Sequence, residues 1–184
     1  MLFAASAVVA TLAACSSGTA NTPAIDASTP ATSTSTTVAP TSTLSPADKA
    51  KQDALAVYLN MWQDFGNAAA TSDWQSPQLG QHATGLALST LSRGLYADHY
   101  NGLVSKGNPT HQAQVSSVDA EFDTRKVIIV DCSDSINALK YYAATGQPAN
   151  DSPGGRRQIN ATVQKQSDGS WKVADFGVQG VGTC

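Results

Sequence analysis

The chain has 184 residues and a formal net charge of −3, and its first 47 positions carry a single charged residue, Asp26. That length allows one domain of ordinary size, and the uneven composition places the domain after Pro46. The 11 Lys and Arg residues are scattered along the chain, which excludes the concentrated basic surface that nucleic-acid binding requires.

Residues 1–14 form an apolar run that is too short to span a bilayer and has the length of a signal-peptide core. The run closes on Leu12-Ala13-Ala14-Cys15, which resembles the bacterial lipobox. This resemblance implies a signal peptide over 1–14, a lipid on Cys15 and anchoring at the outer face of the membrane. The alternative is an ordinary signal peptide with an incidental cysteine. No Lys or Arg precedes the run, which leaves the true start codon open.

Residues 15–45 are the predicted tether between the lipid and the domain. From Ser16 to Ser45, 16 of 30 residues are Ser or Thr and three are Pro, so little can be buried in return for ordering this segment. We therefore expect disorder over this stretch. Threonines close to prolines resemble O-glycosylation sites of secreted actinobacterial proteins, and an unmodified spacer is the alternative.

The domain, residues 46–184, is predicted to begin with a helix. Ser45 is suited to cap it, Pro46 to occupy its first position, and Asp48 to face its amino-terminal dipole. Apolar residues then recur at three- and four-residue steps, and Leu55 and Leu59 widen that stripe. We therefore expect a long, largely buried helix that loses its pattern from Asn67 onward.

A second helical stretch follows, with Ala83, Ala87, Leu88, Leu91 and Leu95 as its apolar positions. Gly85 and Gly94 lower the helix propensity of this stretch. The helical half is predicted to end at 106–109, where Lys-Gly-Asn-Pro interrupts the chain.

The second half has strand periodicity. Residues 111–120 alternate loosely, Asp123-Thr124 lies near a predicted turn, and 122–131 contains the run Val127 to Val130, which is apolar on both faces and is typical of a central strand. Residues 136–143 are ambiguous between a short strand and a helical turn, and a polar loop follows at 146–155.

The last two strands form a predicted hairpin. Residues 157–166 alternate regularly, Ser167-Asp168-Gly169 forms the turn, and 171–178 returns. In the returning strand the apolar positions change parity, which indicates a bulge or bend near Asp175.

Helices followed by about five strands of curved, mainly antiparallel sheet make an α+β fold. The chain has two further motifs, 130–135 (Val-Asp-Cys-Ser-Asp-Ser) and 169–173 (Gly-Ser-Trp-Lys-Val), and a carboxyl-terminal cysteine. In these features and in its order of elements, the domain resembles the nuclear transport factor 2-like (NTF2-like) domains of uncharacterised actinobacterial secreted lipoproteins. The resemblance implies a cone, in which a sheet wraps around a long first helix. Such a fold serves enzymes, ligand carriers and adaptors, so it does not assign a function.

Cys132 and Cys184 are the cysteines left once Cys15 carries a lipid, and an exported chain meets oxidising conditions. We expect an internal disulfide that holds the carboxyl-terminal tail. Two free thiols, or a bond from Cys184 to another chain, are the alternatives.

The sequence offers no catalytic constellation, cofactor loop or metal-ligand spacing, and His82, His99 and His111 stand apart from one another. Asp131 shares strand parity with Val127 and Ile129. Its side chain therefore either faces a pocket or forms a hydrogen bond inside the sheet. The candidate pocket residues are Tyr58, Trp62, Phe65, His99, Asp131, Tyr142, Trp171 and Phe176.

Three functional hypotheses follow. The first is a membrane-tethered module without cofactor or catalysis, whose cone mouth binds an apolar ligand or an envelope protein. The second is a small envelope hydrolase, dehydratase or isomerase that uses Asp131 with His99 or Tyr142. The third is a filled cone that acts through its surface or as a dimer. The first predicts that Trp62→Ala destabilises the fold strongly and that Asp131→Asn changes little beyond one hydrogen bond.

Overall fold

The computed structural model describes residues 44–119, 125–149 and 154–184. The predicted signal peptide, Cys15, nearly all of the tether and the predicted turn at Asp123-Thr124 lie outside the described residues. Three helices come first in the domain, and their bounds are α1 Pro46–Ala69, α2 Leu79–His82 and α3 Gly85–Tyr100. Within these described ranges, no helix is long and apolar enough to cross a bilayer.

The start of α1 confirms the capping prediction. The Ser45 hydroxyl accepts a hydrogen bond from the Asp48 backbone N–H at 3.1 Å and donates one to the Asp48 carboxylate at 2.7 Å. The hydrogen bond from the Ser45 hydroxyl lowers the pKa of the Asp48 carboxylate, and the ammonium of Lys51 lowers it further. The helix therefore begins where short-range chemistry satisfies its first free N–H groups.

The inner face of α1 is narrower than predicted. Tyr58 and Met61 are buried and Trp62 is half-buried, but Leu59 is 40 % exposed. The helix also continues through Asn67 to Ala69, beyond the predicted break. Leu59 is exposed because α1 lies along one side of the sheet and leaves a lateral face of the helix uncovered.

Among the residues that the structure describes, seven strands follow the helices, where about five were predicted. Their bounds are β1 Leu103–Lys106, β2 Thr110–His111, β3 Gln114–Val118, β4 Lys126–Asp134, β5 Leu139–Tyr142, β6 Arg156–Lys165 and β7 Trp171–Val178. The larger sheet has the order β2-β4-β6-β7, with β3 also paired to β4, and its pairings are antiparallel. The α+β class is therefore confirmed, and β4 is central, as its two-sided apolar run indicated.

The bend predicted near Asp175 is present. Against β6, the register passes from Asp175 opposite Thr162 to Val173 opposite Val163, so Ala174 is an extra residue in β7. A second register shift lies in β3, between Val115 and Ser117. Such bulges increase local twist and let a sheet curve over a helix.

The core lies between the inner face of this sheet and the helices α1 and α3. Its largest fully buried apolar side chains are Tyr58, Met61, Leu79, Leu95, Val127, Ile129, Val163 and Val173. These side chains fill the centre of the cone. The architecture is consistent with the NTF2-like fold that the sequence resembles.

A second, two-stranded sheet pairs β1 with β5 and was not predicted. The helical half ends at Tyr100, and Leu103–Lys106 forms a strand where a continuing helix was expected. The ambiguous segment 136–143 contains β5. Each of these strands has four residues, which is too few for an alternating pattern to distinguish them from a turn.

Cys132 and Cys184 lie at disulfide distance, with sulfurs 2.13 Å apart, and this pair joins β4 to the end of the chain. The tail is also held along β6, since the backbone N–H of Gln179 donates to the Gln158 carbonyl and the Gln158 N–H donates to the Thr183 hydroxyl, both at 2.9 Å. The tail is thus hydrogen-bonded to β6, in the position that the predicted bond requires.

Candidate functional site

Asp131 is a carboxylate inside the core and 1 % exposed. It lies on β4, whose buried positions alternate through Val127, Ile129 and Asp131, so strand parity directs it inward as predicted. Its carboxylate accepts three hydrogen bonds: from the Tyr58 hydroxyl at 2.9 Å, from Nδ1 of His111 at 2.6 Å and from the Gln112 N–H at 2.7 Å. A buried carboxylate requires such partners because burial removes its hydration.

His111 is the second side chain that bonds to Asp131. It lies on β2, opposite Ser133 of β4, and 11 % of its side chain is exposed. A carboxylate can only accept, so Nδ1 carries the proton that faces Asp131. One face of the imidazole stacks on Trp62, with ring centroids 5.5 Å apart and planes inclined by 22°. Asp131 and Trp62 together fix the orientation of this ring.

Tyr58 completes the buried network from the helix side. Burial, and then the negative charge of Asp131, raise the pKa of its hydroxyl. Tyr58 therefore remains a neutral donor at physiological pH and joins α1 to β4. Because folding raises the pKa of Tyr58, the contribution of this hydroxyl to the free energy of unfolding is fully present below the tyrosine pKa of the unfolded chain, about 10. That contribution is lost as the pH rises from there through the raised pKa of the folded chain.

A cavity of about 260 Å³ opens beside this network. Its described lining consists of Leu59, Trp62, Gln63, Asn108, Pro109 and His111. We call it the His111 pocket. Its walls are mainly apolar, and the amides of Gln63 and Asn108 add hydrogen-bonding groups.

Two glycines shape the turn that closes the pocket. A β-carbon on Gly66 would collide with the Asn108 amide, so this glycine lets the turn approach α1 closely. Gly107 has a φ of +79°, and a β-carbon there would collide with the Asn137 carbonyl. The absence of a side chain at residue 66 thus lets Asn108 approach α1, and its absence at residue 107 lets the turn approach Asn137.

The structure brings several of the predicted pocket residues together. Tyr58, Trp62 and Asp131 lie in one network, and the Trp62 ring contacts Phe65 and Phe176 with centroid distances of 5.9 and 5.2 Å. Trp171 is 9 % exposed and belongs to the core. The cone mouth, which the first hypothesis took as open and the third as filled, is therefore filled, and the cavity lies at its side.

His99 and Tyr142 are placed elsewhere. His99 lines a separate cavity with Trp74 and Asp73, and Tyr142 is 45 % exposed on β5. The enzyme hypothesis required Asp131 to share a pocket with His99 or Tyr142, and the structure does not bring them together, since Asp131 bonds to Tyr58 and His111. The effect expected of Asp131→Asn, little beyond one hydrogen bond, stays a prediction, and three donors point to this carboxylate.

Sequence reasoning missed His111 as the partner of Asp131. The available signal was strand order: an antiparallel return of 126–134 against the preceding strands brings residues near 111 to the Asp131 end of β4. Without the pairing register of these strands, the sequence places His111 relative to Asp131 only to within several residues. The bulge in β3 adds a further shift that the sequence pattern did not reveal.

A second His–Asp pair serves as a comparison. Nδ1 of His82 lies 2.6 Å from the Asp64 carboxylate, and this contact joins α2 to α1. It lies outside the His111 pocket. In the described ranges, no group of three or more His, Cys, Asp or Glu side chains is arranged to hold a metal ion.

Comparisons with known proteins identify the fold only. No protein-family model matches the chain, and no curated protein matches it significantly. Among solved structures, the intermembrane space region of the chloroplast protein ARC6 is similar with a TM-score of 0.50 and 15 % identity, over 70 % of this chain and 95 % of that one. A ketosteroid isomerase-like protein from Erwinia carotovora atroseptica has a TM-score of 0.45 and 13 % identity, over 70 % and 94 %.

Proposed function

We propose that the chain is an exported lipoprotein, anchored to the outer face of the cell membrane by a lipid on Cys15. The support is the lipobox-like sequence that follows an apolar run, together with a Ser/Thr-rich segment up to Ser45. In this proposal, residues 15–45 hold the domain at a distance from the membrane. The domain then meets ligands or partners within the cell envelope.

Cys15→Ala is expected to leave an unprocessed or a soluble secreted product without a lipid, because the thiol is the acylation point. Detergent phase partitioning and metabolic palmitate labelling measure this directly. Ser17→Ala, two residues away in the same segment, is the control and should partition as the wild type does. Unchanged partitioning and labelling of the Cys15→Ala chain would refute the lipid anchor.

We further propose that the domain binds a small, partly apolar ligand in the His111 pocket and does not turn it over. The observation that carries this proposal is the lining itself. Leu59, Trp62 and Pro109 supply apolar contact, whereas His111 is the one titratable group among the described lining residues. Acid–base catalysis generally needs two polar groups with matched pKa values at the reacting atoms, and Asp131 lies behind the imidazole.

An acid–base enzyme is the second candidate, and one observation favours it. Asp131 holds Nδ1 of His111 at 2.6 Å, which leaves Nε2 as the nitrogen available for proton transfer. In a dehydratase or isomerase, Nε2 would take a proton from the substrate, and the buried carboxylate would stabilise the imidazolium that forms. Gln63 and Asn108 would then donate hydrogen bonds to the substrate.

Binding can be tested with the neutral fluorescent probe N-phenyl-1-naphthylamine. The wild-type chain is expected to give a saturable rise in fluorescence, and Leu59→Arg should weaken binding by about tenfold, since it replaces an apolar wall with a charge. The matched control is Leu86→Arg, because Leu86 is also an exposed helical leucine, at 55 %, and lies outside the pocket lining. Equal affinities for the two variants would contradict ligand binding at this pocket.

The two candidates differ in what His111 does. His111→Gln should leave probe affinity within a few-fold of wild type if the site only binds. If the same variant retains the probe but fails to complement a deletion strain, catalysis replaces binding as the function. His82→Gln, which alters the other His–Asp pair, is the control for a general loss of packing.

A further inference from the structure

Arg157 places a cation on the inner face of the larger sheet. It lies two residues before Ile159 on β6, and Ile159 is 3 % exposed in the core, so both side chains point to the same face. Arg157 is half-buried, and its Nε is buried without a hydrogen-bond partner among the described residues. No carboxylate in the described ranges forms an ion pair with it. A partly buried guanidinium without a counter-charge is unusual, because burial removes part of its hydration.

A hydroxyl lies beside Arg157 on the same face. Ser133 of β4 is the register partner of Arg157, and directly opposite side chains of an antiparallel pair have β-carbons about 5 Å apart. Ser133 is 6 % exposed and follows Ile129 and Asp131 in the buried alternation of β4. A serine hydroxyl donates one hydrogen bond, and a guanidinium can donate two in parallel to a carboxylate. These two neighbours therefore offer their donors to one anionic group.

Asp131 is a carboxylate on the same face of β4, two residues before Ser133, and it does not neutralise Arg157. Its oxygens accept hydrogen bonds from Tyr58, His111 and the Gln112 N–H, at distances of 2.6 to 2.9 Å. These three donors compensate the Asp131 charge locally. The guanidinium therefore keeps its own requirement for an anion.

Two exposed valines flank Arg157 on this face. On one side, Val178 of β7 is the register partner of Ile159 and is 45 % exposed. On the other side, Gly155 precedes Arg157 by two residues, and a β-carbon on Gly155 would lie 2.8 Å from Cγ1 of Val181. Val181 is 61 % exposed. The surface around the unpaired guanidinium is thus apolar and open to solvent.

We propose that Arg157 and Ser133 bind the carboxylate of a small amphiphilic acid, whose apolar part packs on Val178 and Val181. A neutral apolar ligand would leave the guanidinium unpaired, and a simple inorganic anion would leave both valines in water. A polyanion is disfavoured by the net charge of −3. None of these four residues is among the described lining of the His111 pocket, so the proposal does not depend on what that pocket binds.

NMR titration of the full chain with octanoate, at constant ionic strength, tests this proposal. Octanoate is expected to shift the Nε–H resonance of Arg157 and the methyl resonances of Val178 and Val181, and the shifts should saturate together. Acetate carries the charge without the apolar part, and hexan-1-ol carries an apolar part without the charge. Each should bind about tenfold more weakly than octanoate or worse.

Arg157→Gln should weaken octanoate binding by about tenfold or more. The matched control is Arg156→Gln, because Arg156 is the adjacent residue, is exposed on the opposite face of β6 and should be replaceable with a change of at most a few-fold. Val181→Ser, in the exposed tail, should weaken binding several-fold and supplies a second test if Arg157→Gln does not fold.

Three results would each overturn the proposal. The first is that octanoate shifts neither the Arg157 nor the valine resonances. The second is that Arg157→Gln binds octanoate as tightly as Arg156→Gln does, or, if Arg157→Gln does not fold, that Val181→Ser binds it as tightly as wild type. The third is that acetate or hexan-1-ol binds as tightly as octanoate.

Discussion

Asp131→Ala is expected to lower the free energy of unfolding of the full chain by about 4 kcal/mol, measured by urea denaturation. Three donors converge on this carboxylate, from Tyr58, His111 and Gln112. Each buried donor left without an acceptor is worth roughly 1–3 kcal/mol, and water that enters the space recovers part of the total. The loss should therefore exceed that of an ordinary surface substitution several-fold.

Two further substitutions make this result interpretable. Asp131→Asn keeps one acceptor oxygen and should lower stability by about 1–2 kcal/mol, so it stays folded if the alanine variant does not. Asp175→Ala changes an exposed aspartate on β7 and should stay within about 0.5 kcal/mol of wild type. If Asp131→Ala were no more destabilising than Asp175→Ala, the buried network would be absent.

Removal of both sulfurs, by Cys132→Ala together with Cys184→Ala, is expected to lower the free energy of unfolding by about 4 kcal/mol. The bond closes a loop with a sequence separation of 52, and closing such a loop restricts the unfolded chain by about that amount in the entropy model. The tail from Gln179 to Thr183 should also lose protection from hydrogen exchange, although its hydrogen bonds to Gln158 remain available.

A reductant provides the matched control for the disulfide. Dithiothreitol should destabilise the wild type toward the level of the double variant and should leave the double variant unchanged. Non-reducing peptide mapping of exported protein should recover one peptide pair that contains Cys132 and Cys184. Two free thiols or a disulfide-linked dimer in that map would show that the bond does not form within one chain.

The elements that the sequence predicted well are those with local or periodic causes. Ser45 and Asp48 form the cap of α1 through contacts three residues apart, and no tertiary information is needed to see it. The strand 171–178 and its bend were predictable because a parity change in the apolar pattern has one structural explanation, an extra residue in the strand.

What could not be predicted depends on contacts between distant segments. The strands β1 and β5 are short and are joined across more than 30 positions, so neither shows a pattern by itself. The partners of Asp131 come from α1, from β2 and from Gln112 directly after β2, and their choice depends on the register of β2 against β4 and on the rotation of α1. The inward direction of Asp131 was predictable from parity, but its neighbours were not.

The filled centre of the cone also argues against the form of the first hypothesis in which the ligand binds in the cone mouth. Tyr58, Met61 and Ile129 occupy the space in which an open cone would hold a ligand, and all three are essentially unexposed. The remaining cavity lies at the side, between α1 and the turn at Asn108 and Pro109. The proposed ligand would therefore contact the side wall that includes Leu59, Trp62 and His111, in which Asp131 orients the His111 ring.

The central claim is that Asp131 fixes the His111 ring, and the protonation pattern of that ring tests it most directly. Long-range ¹H–¹⁵N correlation spectra, recorded in alkaline buffer where imidazoles are neutral, distinguish a protonated Nδ1 from a protonated Nε2. We predict that His111 carries its proton on Nδ1 and shifts to a mixture of the two tautomers in Asp131→Asn, while His82 does not change. A wild-type His111 protonated on Nε2 would contradict the claim.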